Sequence, residues 1–138
     1  MTSAAVAVCL MLTLIAAIHF YWAAGGSAWK AGAVPSRNGI PVLSPSPIST
    51  ALVGIVLLGM AAVVGSTAGL VPRFLPTGLL RGASVMLALI FAARAVGEFR
   101  YVGFFKRVQG SVFAQRDTYL YSPLCLLLAV LIALVALA

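Results

Sequence analysis

The sequence predicts an all-α fold, an integral membrane four-helix bundle. Hydrophobic residues make up 63% of the chain and charged residues only 8%, whereas soluble domains carry roughly 25% charged residues. Long apolar runs recur four times, at about residues 4–24, 47–69, 79–98 and 117–138. Each is close to the roughly 20 residues that about 30 Å of hydrocarbon requires. The basic residues lie mainly between these runs, which is how membrane proteins fix their orientation. The net charge of +7 therefore speaks for topology and against a nucleic-acid partner. Residues 1–138 are expected to form a single four-span domain.

The first run is interrupted only by Thr13 and His19. A secretory signal would want a basic start and a shorter apolar core, and Met1-Thr2-Ser3 is uncharged, so a retained span is expected. Gly25-Gly26 ends it. The connection to about Ser46 is long against the roughly 2–8 residues usual in bundles. Pro35, Pro41 and Pro45 argue against a hidden helix there, and the segment reads as a lid or as slack. Ser46-Pro47 joins a capping serine to a proline at the first helical position. Gly65 and Gly69 are four apart, which lets a neighbouring helix approach closely. Pro72, Pro76 and Gly78 then make a short turn with Arg73, and Arg81 lies just beyond.

The third run ends Phe91-Ala92-Ala93-Arg94-Ala95-Val96-Gly97-Glu98. Residues 99–116 alternate basic and aromatic side chains, as do segments lying among lipid headgroups. Ser122-Pro123 repeats the cap-and-proline signal. A helix over residues 123–138 is short for a span, so helical structure is expected to begin near Asp117, with a bend at Pro123. Cys9 and Cys125 start from opposite faces of the bundle. A disulfide needs Cα atoms within about 7 Å, so two free thiols are expected.

Connections one and three carry Lys30, Arg37, Arg100, Lys106, Arg107 and Arg116, against Arg73 and Arg81 in connection two. The positive-inside rule then makes the first set cytoplasmic and puts both termini outside, in the inner (plasma) membrane of a bacterial cell. His19, Tyr21 and Trp22 fall at the inner end of span one. Arg94 and Glu98 fall at the inner end of span three, and Asp117, Tyr121 and Ser122 at the inner start of span four. An intramembrane charge is costly and normally paired. Glu98, four residues on, is the partner expected for Arg94. Asp117 either caps the fourth helix or meets Arg94 or His19. Trp29, Tyr101 and Tyr119 read as interfacial anchors.

These eight residues, His19, Tyr21, Trp22, Arg94, Glu98, Asp117, Tyr121 and Ser122, form the candidate ligand-binding set. No catalytic residue is assigned. One histidine cannot ligate haem bis-axially, no metal motif appears, and no Gly-rich phosphate loop is present. No cofactor is expected.

The stretches His19 to Gly26, Arg94 to Gly97 and Phe113 to Cys125 resemble a family of small bacterial four-span membrane proteins, the domain of unknown function 3995 type. The resemblance spans nearly the whole chain. Its most specific part is Asp117-Thr118, then Tyr121-Ser122-Pro123-Leu124-Cys125. It implies a membrane protein of this size and supplies no catalytic residues. A looser similarity, of architecture alone, links the chain to four-span ligand-binding proteins of the sterol-isomerase and sigma-2-receptor type.

The leading expectation is a protein that binds a lipid or amphipathic small molecule. The ligand's polar head would meet the candidate set on the cytoplasmic side, with the first connection as a lid. Membrane lipids are the expected partners, and a homo-oligomer is compatible. Three alternatives stay open: an isomerase-like enzyme moving a proton through Asp117, Glu98 or His19; a small transporter; and a partner subunit.

Overall fold

The computed structural model describes residues 1–138. Four helices are long and apolar enough to cross a membrane: Thr2–Ala23, Pro47–Thr67, Thr77–Val96 and Val112–Ala136. The only strands are two residues each, Ser36–Arg37 pairing antiparallel with Ile40–Pro41. The chain is thus the expected all-α four-helix bundle.

The second helix begins as its sequence dictates. The Ser46 hydroxyl accepts the Ser49 N–H at 3.1 Å, and Pro47 takes the first position. Its end corrects one expectation. Gly69 (φ +74°) lies beyond the helix with no neighbour near its α-carbon. The Leu70 N–H bonds the Gly65 carbonyl at 2.8 Å and the Gly69 N–H that of Ser66 at 3.2 Å. This is a Schellman stop, so Gly69 ends the helix and packs against no partner. Gly65 does face the first helix, 3.5 Å from Cys9 Sγ for a Cβ built there, and Gly54 lies under the Phe20 ring.

The fourth helix departs further from expectation. It starts at Val112, five residues before Asp117, because the Ser111 hydroxyl accepts the Ala114 N–H at 2.9 Å. Ser122 has helical backbone angles and caps nothing. A π-helical turn over Asp117–Tyr121 precedes Pro123. Proline has no N–H and its ring crowds the carbonyl four residues back. The wider turn takes up that misfit within a continuous helix.

Helices one and two, and three and four, pack as antiparallel pairs. Contacts between one and four and between two and three close the ring. Val8, Leu12, Ala16, Val64, Leu128 and Ile132 fill its centre. Leu10, Leu14, Ile55, Leu89 and Val130 face outward, as they would with lipid for solvent. The Thr67 and Ser84 hydroxyls, 2.9 Å apart, join helices two and three. Both cysteines are free, as expected, and Cys9 Sγ donates to the Ala61 carbonyl at 3.4 Å.

Candidate functional site

Both loops on the basic face are built structures. The first connection contains a 3-10 turn, Lys30–Gly32, and the small hairpin at Ser36–Pro41. Asn38 (φ 52°) and Gly39 (φ +77°) close that hairpin. Asn-Gly is the pair that accepts positive φ at both turn positions. The third connection, residues 97–111, folds back over the end of helix three. The Phe104 N–H bonds the Ala95 carbonyl at 2.8 Å, and the Val108 N–H bonds that of Arg100 at 2.8 Å. Gly97 and Gly103, both at φ near +90°, press backbone to backbone there; a Cβ on either would collide with the other strand of the loop.

That fold-back delivers two donors to Asp117, which is 0% exposed, and helix three supplies a third. Its Oδ1 accepts from Arg94 Nη2 at 2.9 Å. Its Oδ2 accepts from the Gly103 N–H at 2.7 Å and from Lys106 Nζ at 3.1 Å. Lys106 is only 4% exposed. Its ammonium also donates to Thr118 Oγ1 at 2.6 Å and to the Gly103 carbonyl at 3.0 Å. An ammonium has three protons, and all three have acceptors. Burial of charge is tolerated when it is paired and fully hydrogen-bonded, and here both conditions are met.

The expected Arg94–Glu98 pair does not form. Helix three stops at Val96, and Gly97 (φ +90°) turns the chain away, so Glu98 leaves the face that Arg94 occupies. The Glu98 carboxylate accepts the Tyr101 N–H instead. Arg94 goes to Asp117, the other partner the sequence allowed. Asp117 caps no helix terminus; it lies inside helix four and holds a loop. Lys106 was missed. It reads as one more headgroup cation, and an irregular loop offers no periodicity that would mark it as buried.

The span-one residues serve a different end. His19 Nδ1 donates to the Ile15 carbonyl at 2.8 Å. A carbonyl only accepts, so this nitrogen carries the proton. Its ring meets Trp22 edge-on at 5.3 Å between centroids. No hydrogen bond joins His19 to Arg94 or Asp117. Trp22 Nε1 donates to the Ala28 carbonyl at 2.7 Å, and half-exposed Tyr21 lies over Gly26. Together these side chains shape the start of the first connection. The Tyr121 hydroxyl donates to the Gly32 carbonyl at 2.9 Å, and Arg116 Nη1 donates to the Trp29 carbonyl at 3.3 Å. Helix four is thereby tied to the 3-10 turn.

Ser122 is 0% exposed, and its Oγ lacks a partner, as does Arg94 Nη1. Residues five apart on an α-helix point about 140° apart. The wider π turn brings Ser122 round to the buried side that Asp117 occupies.

Beside this closed cluster lie two open grooves. One, of about 1050 Å³, runs between the hairpin and residues 108–112 and is lined by Lys30 and Arg37 among others. The second, of about 450 Å³, is lined by Arg37, Glu98, Phe99, Arg100, Arg107 and Val108. Arg37 and Val108 belong to both. Of the eight candidate residues only Glu98 reaches a groove. Lys30, Arg37, Arg100 and Arg107 make no side-chain hydrogen bond or ion pair; Arg100 only covers the Tyr101 ring, 5.0 Å from its centroid.

No curated protein and no solved structure matches the chain. A family model matches residues 12–132, a span that includes the whole Asp117 cluster and both grooves. The chain belongs to the family described as Protein of unknown function (DUF3995).

Proposed function

We propose that the protein binds an anionic amphiphile, a lipid or small molecule whose head lies in the two cationic grooves. Its tail would run along the apolar helices. One observation carries this reading. Of the cations in and beside the basic loops, Arg94, Lys106 and Arg116 have partners inside the protein. The four that make no side-chain hydrogen bond or ion pair, Lys30, Arg37, Arg100 and Arg107, all line the grooves. Glu98 is the one acid among the lining residues, which leaves three net positive charges. Exposed Leu43, Phe99 and Val112 stand at the same grooves, so an apolar chain has a surface beside the charged head.

The Asp117 cluster supports this reading from beneath. With both oxygens engaged, Asp117 holds the third connection in place and so fixes one groove wall. A wall set in advance lowers the ordering cost of binding. In the same proposal the basic loops face the cytoplasm from a bacterial inner membrane, and the first and last residues lie on the outer side, as six basic residues against two favour.

The test is native mass spectrometry of protein extracted in mild detergent from membranes containing anionic lipid. Wild type is expected to retain anionic lipid. An R37A/R107A variant is expected to lose most of it, and R73A/R81A, altered on the opposite face, to keep it. Equal retention by all three would overturn the proposal.

A further inference from the structure

The grooves are two, and Arg37 stands between them. Lys30 belongs to the first groove alone, Arg100 and Arg107 to the second alone, and Arg37 to both. Arg37 is also firmly presented. It pairs with Ile40 in the hairpin, next to the Asn38-Gly39 turn. A guanidinium carries five donors on a rigid plane and can serve anions on two edges at once.

Resting on the reading above, we infer that the ligand is a lipid bearing two phosphate groups joined by a short polar linker, with one phosphate in each groove and Arg37 bridging them. Charge supports two anions over one. A single phosphodiester head would occupy one groove and leave two of the three net positive charges uncompensated. Two such groups bring the lining close to balance. Basic pockets at the cytoplasmic ends of membrane helices are suited to headgroups of this kind. The second phosphate binds within reach of the first, so its contribution multiplies the affinity. The apolar side chains beside the grooves favour a lipid over a soluble diphosphate.

The experiment uses the full chain in mild detergent and native mass spectrometry. Cardiolipin, with two phosphates joined through glycerol, competes against phosphatidylglycerol, with one, at equal phosphate concentration and with matched acyl chains. Cardiolipin is expected to win by about tenfold or more, a modest part of the roughly 10²–10⁴-fold gain that linking two contacts can provide. K30A and R107A are each expected to erase that preference and to lower phosphatidylglycerol retention below that of wild type. R37A is expected to weaken both lipids, and R73A neither. Equal occupancy by the two lipids would overturn the two-phosphate inference and leave anionic-lipid binding standing. Retention of neither would overturn both. Full displacement of cardiolipin by millimolar inorganic pyrophosphate would overturn the lipid assignment in favour of a soluble diphosphate.

Discussion

Lys106 Nζ lies 3.1 Å from Asp117 Oδ2, and both side chains are sealed from solvent. They stand eleven positions apart in sequence, with the end of the loop and the first turn of helix four between them. The pair therefore fixes an irregular connection as firmly as a helix contact would, and it does so at the only acid in helix four.

Removing one member of that cluster leaves buried charge behind. Lys106→Met is expected to destabilise the protein by about 3 kcal/mol or more, and Asp117→Ala by a similar amount, because breaking a buried pair costs more than its net worth. Lys30→Met, at an unpaired position, is expected to stay within about 0.5 kcal/mol. Thermal unfolding in detergent, followed by tryptophan fluorescence, would measure all three. Equal stability of the Lys106 and Lys30 variants would show that the cluster does not hold the loop.

Gly103 and Gly110 share a φ near +90° but differ in surroundings. A Cβ at Gly103 would strike the backbone of Val96 and Gly97, while at Gly110 it would meet open space. Alanine at Gly110 is expected to cost about 1 kcal/mol from backbone strain. Alanine at Gly103 is expected to cost clearly more and to pull its N–H off Asp117. A smaller loss at Gly103 than at Gly110 in the same unfolding assay would contradict the close approach.

Two buried serines make opposite predictions. Ser84 shares a hydrogen bond with Thr67, and Ser122 has none. Ser84→Ala is expected to lower stability by about 1 kcal/mol, whereas Ser122→Ala is expected to be neutral or stabilising, since it removes a buried hydroxyl without a partner. Destabilisation of the Ser122 variant by as much as the Ser84 variant would mean that the Ser122 hydroxyl is bonded.

Tyr121→Phe deletes one hydrogen bond, from the fourth helix to Gly32, at an expected cost of about 1 kcal/mol. The effect should be local. Hydrogen exchange should quicken at Gly32 and Ala33, whose N–H groups close the 3-10 turn, with the helices unchanged. Unaltered exchange there would show that the turn stands without Tyr121.

Much of this was legible in the residues. Apolar length marked four spans, and Ser46-Pro47 marked a helix start with its mechanism. Arg94 announced that it needed an acid, and Asp117 was among the two on offer. What stayed hidden depended on where helix three stops. With the helix assumed to continue, Glu98 falls under Arg94; with Gly97 turning the chain out, only Asp117 remains. Lys106 was hidden because burial in an irregular loop has no period. The Ser111 cap was masked by the louder Ser122-Pro123 pair. The Asn38-Gly39 turn could have been found, because that dipeptide carries its backbone requirement in its own chemistry.

The order of Arg94, Lys106 and Asp117 along the chain bears on biogenesis. Synthesis runs from the first residue to the last, so both cations leave the ribosome ahead of the acid. When the final apolar segment enters the bilayer, its lone carboxylate arrives with its counterions already made. A circular permutant that places residues 112–138 first would send that carboxylate in alone, and its insertion should falter even though every contact of the finished protein is available to it.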